Sequence, residues 1–520
     1  MLMSAERIWA NSAAAGLLLL AALLIFANLD DRRLWDDEAE TALLAKSTLR
    51  FGVPVAWDGA TLISQECGTD YDSNYLWRQT PWLPIYLTAG SFALLDASTF
   101  TARLPFALLG LLAVPSMSLL ARRASGDRPT AMLAAGSLLL SVPFLLHVRQ
   151  CRYYAVAILA AIWVLYFFFL LPTRRRLAAA GLALSLTVLL HASHLLFFGA
   201  VAGLALAALV LALPAAVLEW LAVAVAGTVI VNLPWLLGSG VEQTSGRLLA
   251  LASVRSFVSN LASYGARIEL YAFPAVLLAV ALIALAVATR ARPDVRSVAV
   301  RACLALVAFA LGHILVVATV PFVFFRYAIT LLPVFALLQA WAIRALATRS
   351  RVLAAAILLL ALLPDRADLV HGRFSVTLAR YVDEITHHVP GPIDGIVRLL
   401  DASARPGDRL FISYGDLPLR FYTRLEIRGG QGCQSLAGWP PPDWVIVRYF
   451  FRFHPAAPAA KQDAERTLQY LKTGISQSAY RRIDLPVVDT IWENIPEPER
   501  HVFRDPGDRP KITVYEKARP

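Results

Sequence analysis

The chain has 520 residues, of which 58% are hydrophobic and 16% charged, and it carries a formal net charge of +11 with a mean hydropathy of +0.58. This composition excludes an ordinary soluble protein and predicts many membrane spans, because about 20 consecutive apolar residues cross a bilayer. The basic excess does not indicate nucleic-acid binding, since the arginines cluster in short loops between apolar runs, where the positive-inside rule places them.

In chain order, the apolar runs predict about eleven transmembrane helices. The first run is long, has no clear small-residue cleavage site and precedes many others, so we expect a retained span rather than a cleaved signal peptide. The predicted spans are residues 8–28, 102–121, 130–146, 153–171, 177–191, 195–213, 215–236, 269–289, 301–320, 328–346 and 351–364.

Basic loops set the expected orientation. These loops are residues 121–128, 173–176, 290–301 and 344–351. Alternating spans place all of them on one side, which the positive-inside rule identifies as the cytoplasm, together with the N-terminus. The apolar segment 81–95 would reverse this alternation if it crossed the membrane, so we expect it to lie in the membrane interface.

The resulting fold class is an α-helical polytopic membrane protein with a C-terminal extracytoplasmic α/β domain. Residues 1–365 are predicted to form the membrane domain, with a first external loop at 29–100, and residues 366–520 the α/β domain. Alternation and turn residues predict a helix, a turn and a strand within 391–415, strands at 443–450 and 511–517, and a helix at 459–474. No catalytic motif is evident in this tail.

Four acids, Asp36, Asp37, Glu38 and Glu40, directly follow the first apolar run. Asp36 or Asp37 is predicted to cap a helix from Glu38 to about Arg50, because acidic residues favour the positive end of a helix. Gly52 and Pro54 are predicted to stop this helix. The helix would lie along the membrane surface with one apolar face partly buried, namely Ala42, Leu43, Ala45 and Leu49. An ordinary interfacial helix with an acidic first turn is an equally good interpretation.

Several arginines lie on the expected external side, where the positive-inside rule predicts few, so they are candidate functional residues. Arg149 and Arg152 have helical spacing at a membrane boundary, Arg326 stands beside Tyr327, and Arg78 precedes the interfacial segment. Guanidinium groups suit phosphate oxygens, whereas the alternative is contact with lipid headgroups.

His191 and His194 lie near the external end of one predicted span. Such histidines could bind a metal ion, and interfacial packing explains them equally well. Among the cysteines, Cys67, Cys151 and Cys433 are expected outside and Cys303 within a span. An oxidising exterior permits a disulfide between Cys67 and either Cys151 or Cys433.

Acids and arginines at one membrane face suit glycosyl transfer from a lipid phosphate. A carboxylate takes the proton from an acceptor hydroxyl, or shares a divalent metal ion with the phosphate, and cations stabilise the leaving phosphate. A transporter or flippase of anionic lipid-linked substrates is the main alternative, and it predicts mid-span charges and related halves. A non-catalytic scaffold whose tail binds a partner is a second alternative.

Four segments, in this order, resemble the C-type membrane glycosyltransferases, in particular the protein O-mannosyltransferases and the lipid A aminoarabinose transferases. They are the acidic DDEAETALLAKSTLRFG, the stretch 78–123 with its RLP, HVRQCRYY with the apolar run after it, and FFRYAITLLPVFALLQA. The likeness covers roughly residues 8–365. This chain departs from the family's paired prolines, since PWLP occupies residues 81–84.

The resemblance implies a polyprenyl-phosphate-linked sugar donor and a glycan, lipid or protein acceptor outside the bacterial inner membrane. It places the catalytic base at Asp37, with Asp36 as a competing assignment, and Glu38 beside it to position the acceptor or a divalent ion. The donor phosphate would meet Arg149, Arg152, Arg326, Tyr327 and Arg78. A single displacement by one base implies inversion at the anomeric carbon.

Overall fold

A computed structural model describes residues 5–57, 59, 62–238, 253–289, 298–449, 465, 468–473, 479–490, 493–501, 503 and 509–518. Its helices in the first half of the chain are α1 (Ala5–Phe26), α2 (Asp36–Phe51), α3 (Leu83–Leu95), α4 (Thr99–Ser125), α5 (Arg128–Leu139), α6 (Val142–Val148), α7 (Tyr154–Leu170), α8 (Arg175–Ala192), α9 (His194–Val210), α10 (Ala215–Val231), α11 (Leu233–Gly238) and α12 (Val254–Arg267). They are followed by α13 (Ala275–Thr289), α14 (Val298–Val317), α15 (Leu332–Ala347), α16 (Arg351–Leu362), α17 (Arg366–Val370), α18 (Thr377–Thr386), α19 (Pro392–Ser403) and α20 (Asp416–Tyr422). The strands are β1 (Arg409–Ile412), β2 (Glu426–Gly429), β3 (Trp444–Ile446), β4 (Tyr480–Val488) and β5 (Lys511–Lys517).

The chain divides into two compact units. Unit 1 comprises Met1–Ala27, Phe106–Thr386 and Pro496–Glu499, and unit 2 comprises Asn28–Pro105, His387–Ile495 and Arg500–Pro520. The loop at 29–100, which is predicted to be external, is thus grouped with most of the tail. The predicted domain division at residue 365 remains a prediction.

Unit 1 is helical, and its helices α9 and α14 cross closely at glycines. A Cβ atom on Gly203 would lie 2.6 Å from the carbonyl oxygen of Phe309, and one on Gly312 would lie 2.7 Å from that of Ala202. Small residues allow helix backbones to approach in this way, as they do in membrane proteins. Neither glycine can therefore gain a side chain without moving one of the two helices.

Four helical stretches in the described part of the chain are long and apolar enough to cross a membrane. They are Thr99–Ser125, Arg175–Ala192, Val298–Val317 and Ile329–Ala347. The number rises to six if each of two bent pairs is one span: α5 with α6, bent by 64°, and Val254–Ala272 with Ala275–Ile283, bent by 77°. The count of about eleven spans and their orientation remain predictions.

The two bends correct the expectation of continuous helices at 130–146 and 269–289. Pro143 lies in the first turn of α6, and Pro274 directly precedes α13. Proline has no backbone N–H and its ring clashes with the preceding turn, which interrupts a helix at these points. The segment at 81–95 forms α3, whose 13 residues rise about 20 Å, less than a bilayer core of about 30 Å.

Unit 2 contains a five-stranded mixed sheet of order β2-β1-β3-β5-β4. β1 pairs in parallel with β2 and β3, whereas β5 pairs antiparallel with β3 and β4. One face of the sheet packs against α19 through a core that includes Leu410, Trp444 and Val514, all fully buried. This confirms the expected α/β character of the tail.

The predicted strand at 511–517 is confirmed by β5, and β3 forms within the predicted strand 443–450. The predicted helix at 459–474 lies largely outside the described residues. The two remaining strands were not anticipated: β2 has four residues, and β4 contains a proline and three charged residues.

A disulfide joins Cys67 to Cys433 across 366 positions of the chain, within unit 2. This confirms one of the two expected pairings. Cys151 is buried and does not form a disulfide, so the alternative pairing is wrong.

Candidate functional site

The acidic run forms the first turn of α2 rather than its cap. Trp35 is the N-cap residue and makes no side-chain capping hydrogen bond, so the expected capping by Asp36 or Asp37 is wrong. A carboxylate within the first turn still favours the positive end of the helix. The helix ends as expected at Gly52, which has a φ of 78° and donates its N–H to the carbonyl of Thr48.

The α2 helix is buried, which corrects its expected half-exposed position. Its four acids are at most 9% exposed, and Ala42 is fully buried, whereas Leu49 is 51% exposed. Burying a carboxylate is costly unless it is protonated, paired or hydrogen-bonded. The contacts of each acid therefore indicate what it does.

Glu38 forms a buried ion pair with Arg103. The guanidinium donates from Nε to Oε1 at 2.8 Å and from Nη2 to Oε2 at 2.7 Å. Arg103 also donates from Nη1 to the carbonyls of Leu29 and Arg32, both at 2.8 Å. Asn494 adds a hydrogen bond to Oε2 at 3.3 Å. This network fixes the first turn of α2 to the chain segment before it.

Asp37 and Glu40 share one amide. Gln65 donates from Nε2 to Oε2 of Glu40 at 2.8 Å and to Oδ1 of Asp37 at 3.3 Å. Asp37 thus accepts a long hydrogen bond from a neutral donor, whereas Glu38 accepts short ones from a cation. The side chain of Asp37 is 9% exposed, the most of the four acids.

Asp36 faces a different set of groups in unit 2. It interacts with Asp416, Arg448 and Tyr414, and burial together with the nearby Asp416 carboxyl raises the pKa of Asp36 to about 7. Its Oδ1 is buried and accepts no hydrogen bond within the described residues. Asp36 is therefore partly protonated at neutral pH.

Arg149 and Arg152 do not lie on one helical face, because α6 ends at Val148 and both belong to the loop before α7. Arg149 donates from Nη1 to the carbonyls of Ile25 and Ala27, both at 2.8 Å. These carbonyls lie at the C-terminal end of α1, where a cation is favoured. The described contacts of Arg149 thus tie α1 to the α6–α7 loop.

Arg152 and Arg326 come together around Tyr153 in unit 1. Both guanidinium groups, and the Tyr327 hydroxyl, interact electrostatically with the Tyr153 hydroxyl. Arg152 is only 9% exposed, and Arg326 lies over the ring of Phe324 at 4.2 Å from the centroid. We call Tyr153, Arg152, Arg326 and Tyr327 the arginine–tyrosine cluster. Its two cations and two phenols form a candidate anion site.

The other predicted residues have different surroundings. Arg78, in unit 2, pairs with Asp72 at 2.9 Å, with both side chains about 30% exposed. His191 in unit 1 forms a hydrogen bond from Nε2 with Oδ1 of Asn232 at 2.9 Å. Within the described residues, no three His, Cys, Asp or Glu side chains form a group that could hold a metal ion.

Solved structures of other proteins show which fold this chain has. No family model and no curated protein matches the sequence. The structure is similar to ArnT from Cupriavidus metallidurans bound to undecaprenyl phosphate, with a TM-score of 0.55 and 14% identity over 96% of this chain and 97% of that one. The apo state of the same ArnT gives 0.55 and 15%, covering 98% of each chain. The apo oligosaccharyltransferase from Archaeoglobus fulgidus gives 0.52 and 15%, covering 92% of this chain and 70% of that one.

The fold is that of the C-type membrane glycosyltransferases. The resemblance inferred from four short segments is thereby confirmed at the level of fold. The similarity to the apo ArnT covers 98% of this chain, including the tail, whereas the resemblance seen in the sequence ends near residue 365.

Several residues that build these clusters were missed in the sequence. Arg103 stands in the RLP segment that carries the resemblance, and Tyr153 adjoins Arg152. These two could have been singled out by proximity to a motif. Gln65 and Glu497, a buried tail residue of unit 1, have no local signal, because their partners lie 25 and about 170 positions away.

Proposed function

We propose that this chain transfers a sugar from a polyprenyl-phosphate-linked donor to an acceptor hydroxyl on the extracytoplasmic face of a bacterial inner membrane. The arginine–tyrosine cluster carries the proposal, because one buried and one half-buried cation beside phenols suit a phosphate anion. The likeness to an ArnT bound to undecaprenyl phosphate supports this choice of ligand.

In this proposal, Arg152 and Arg326 hold the donor phosphate, with Tyr153 and Tyr327 as further hydrogen-bond donors. The guanidinium groups stabilise the charge that develops as the bond between the sugar and the phosphate breaks. Arg149 does not bind the phosphate in this proposal but secures the loop that carries Arg152. Arg78 has a carboxylate partner of its own and contributes least.

Asp37 is the proposed base. It takes the proton from the acceptor hydroxyl, and the acceptor oxygen attacks the anomeric carbon. The electron pair of the broken C–O bond leaves with the polyprenyl phosphate, and the configuration inverts. Oδ1 of Asp37 accepts a hydrogen bond from Gln65, which is one of the contacts that orient the carboxylate.

Its neighbours have other roles in the proposal. Glu38 holds the first turn of α2 through Arg103, and both its oxygens are engaged. Asp36 is the competing base, with a pKa of about 7 that suits proton transfer. The described residues do not form a metal site, so we derive no step through a metal ion.

Substitution of the two candidate bases tests the assignment. Asp37→Asn and Asp36→Asn keep the size of the side chain and remove its basicity. We expect Asp37→Asn to lose sugar transfer by at least about a thousandfold while Asp36→Asn retains most of it. Melting temperature and membrane extraction must not fall below those of the wild type, which shows that both variants fold. The reverse ranking would assign the base to Asp36, and full activity of both variants would contradict a base in this helix.

A further inference from the structure

A short piece of the C-terminal tail belongs to unit 1, although most of the tail belongs to unit 2. This piece, Pro496–Glu499, places Glu497 in a fully buried position. The Glu497 carboxylate accepts hydrogen bonds from two consecutive backbone amides, Phe325 N–H to Oε2 at 2.6 Å and Arg326 N–H to Oε1 at 3.2 Å. No pattern in the sequence of the tail predicts this contact.

The turn that receives Glu497 is the one that carries the donor-phosphate residues. It is a single 3-10 turn, Phe325–Tyr327, whose second and third residues belong to the arginine–tyrosine cluster. The Phe325 ring is fully buried and packs 6.0 Å from the ring of His147, just before the loop that carries Arg152. Fixing the two amides of this turn therefore fixes the backbone from which Arg326 extends.

Charged groups around Glu497 hold the carboxylate in place. Arg326 interacts favourably with it, and Arg267 lies with Nη1 at 3.8 Å from its Oε2. Arg267 also pairs with Glu499 at 2.6 Å. Burial raises the pKa of Glu497 to about 7 against the opposing effect of Arg326, so part of the population is neutral at neutral pH. The two amide hydrogen bonds favour the ionised form, which offers them two acceptor oxygens.

We propose that Glu497 is a positioning residue for the donor-phosphate site, which orients Arg326 by binding the backbone amides of Phe325 and Arg326. The inference rests on the proposed function, and it assigns the tail an indirect part in donor binding. Glu497 does not touch the phosphate in this proposal. It acts through the turn, so its loss displaces Arg326 and weakens binding of the lipid phosphate.

Undecaprenyl phosphate is the probe, added to the purified full-length protein in detergent. Glu497→Ala removes both acceptors and should weaken binding by about tenfold or more, a loss on the scale of a charge-assisted hydrogen bond. Glu497→Gln keeps one acceptor oxygen and the side-chain size, and should restore most of the affinity. Glu499→Gln is the matched control, because it changes the neighbouring carboxylate that pairs with Arg267.

Hydrogen exchange on a peptide that covers residues 322–331 gives a second readout that needs no ligand. Glu497→Ala should expose the amides of Phe325 and Arg326 to exchange, whereas Glu499→Gln should leave them protected. Unchanged exchange in Glu497→Ala would overturn the inference, and so would faster exchange with unchanged affinity. If the alanine variant does not fold, Glu497→Gln and Glu497→Asp, compared in the same two assays, decide the matter.

Failure of the proposed function has a different signature. A wild-type protein that binds no undecaprenyl phosphate would contradict the proposed function and, with it, the positioning role of Glu497. A wild-type protein that binds the lipid as tightly as the Glu497→Ala variant would contradict only the positioning role.

Discussion

Arg103 and Glu38 form a two-point ion pair in which Nε meets Oε1 at 2.8 Å and Nη2 meets Oε2 at 2.7 Å. The side chains are 3% and 0% exposed, so neither charge has water to replace its partner. The pair makes the acidic run of α2 a structural element as well as a chemical one.

Removing one partner of this pair should destabilise the protein strongly. We expect Arg103→Ala or Glu38→Gln to lower the free energy of unfolding by about 3–5 kcal/mol, because the other charge is left buried and unpaired. Arg78→Ala is a matched control, since its pair with Asp72 is about 30% exposed and should contribute less than about 1 kcal/mol. Thermal unfolding in detergent measures both. Equal losses for the two arginines would contradict a special role for the buried pair.

The acidic run marks the limit of what the sequence could predict. The four acids after an apolar run predicted α2, and Gly52 predicted where this helix ends. Their burial was not predictable, because it depends on Arg103 and Asn494, 65 and 456 positions away from Glu38. Local pattern reports which residues share a helix, whereas the partners of a buried charge are set by the tertiary fold.

The same distinction applies to strands and arginines. The alternation in KITVYEK predicted β5 in full, since a half-buried strand has its own period. The four residues of β2 are too few for any period to appear. Helical spacing suggested that Arg149 and Arg152 act together, but both lie in the loop between α6 and α7. In this loop Arg149 binds the end of α1, whereas Arg152 interacts with Tyr153, as Arg326 does. The order of short segments along the chain was enough to predict the fold.

Asp36 should make stability depend on pH. Burial raises its pKa from 3.8 to about 7, so the folded state holds this proton more tightly than the unfolded state does. Its contribution to stability is therefore complete below about pH 4 and is lost as the pH rises through about 7. Asp36→Asn should melt several degrees above the wild type at pH 8, with a smaller difference at pH 5. A difference that does not change between these pH values would contradict the shifted pKa.

The disulfide between Cys67 and Cys433 should stabilise unit 2. Reduction, or Cys433→Ser, should lower the free energy of unfolding by about 2–5 kcal/mol, because the bridge restricts the unfolded chain. Peptide mapping without reductant should recover the Cys67–Cys433 pair and leave Cys151 and Cys303 open to alkylation after unfolding. Recovery of Cys67 as a free thiol, or joined to Cys151, would be incompatible with this structure.

Substitution of Arg326 should affect binding of the lipid phosphate, whereas substitution of Arg149 should affect stability. Arg326→Ala removes a member of the arginine–tyrosine cluster and should weaken undecaprenyl phosphate binding by about tenfold or more. Arg149→Ala removes the donor to the carbonyls at the end of α1 and should chiefly lower the melting temperature. Titration and thermal unfolding on the same samples measure both effects. A larger loss of affinity in Arg149→Ala would place the phosphate at the α1 end instead.

The proposed function requires the chain to cleave the bond between a sugar and a polyprenyl phosphate. The most direct measurement incubates the purified protein with undecaprenyl phosphates that carry labelled sugars, together with envelope acceptors, and follows the release of undecaprenyl phosphate. We predict release coupled to labelling of the acceptor with inverted configuration, and loss of both in Asp37→Asn. Movement of the intact lipid across a bilayer, without cleavage of any donor, would contradict sugar transfer and favour a flippase.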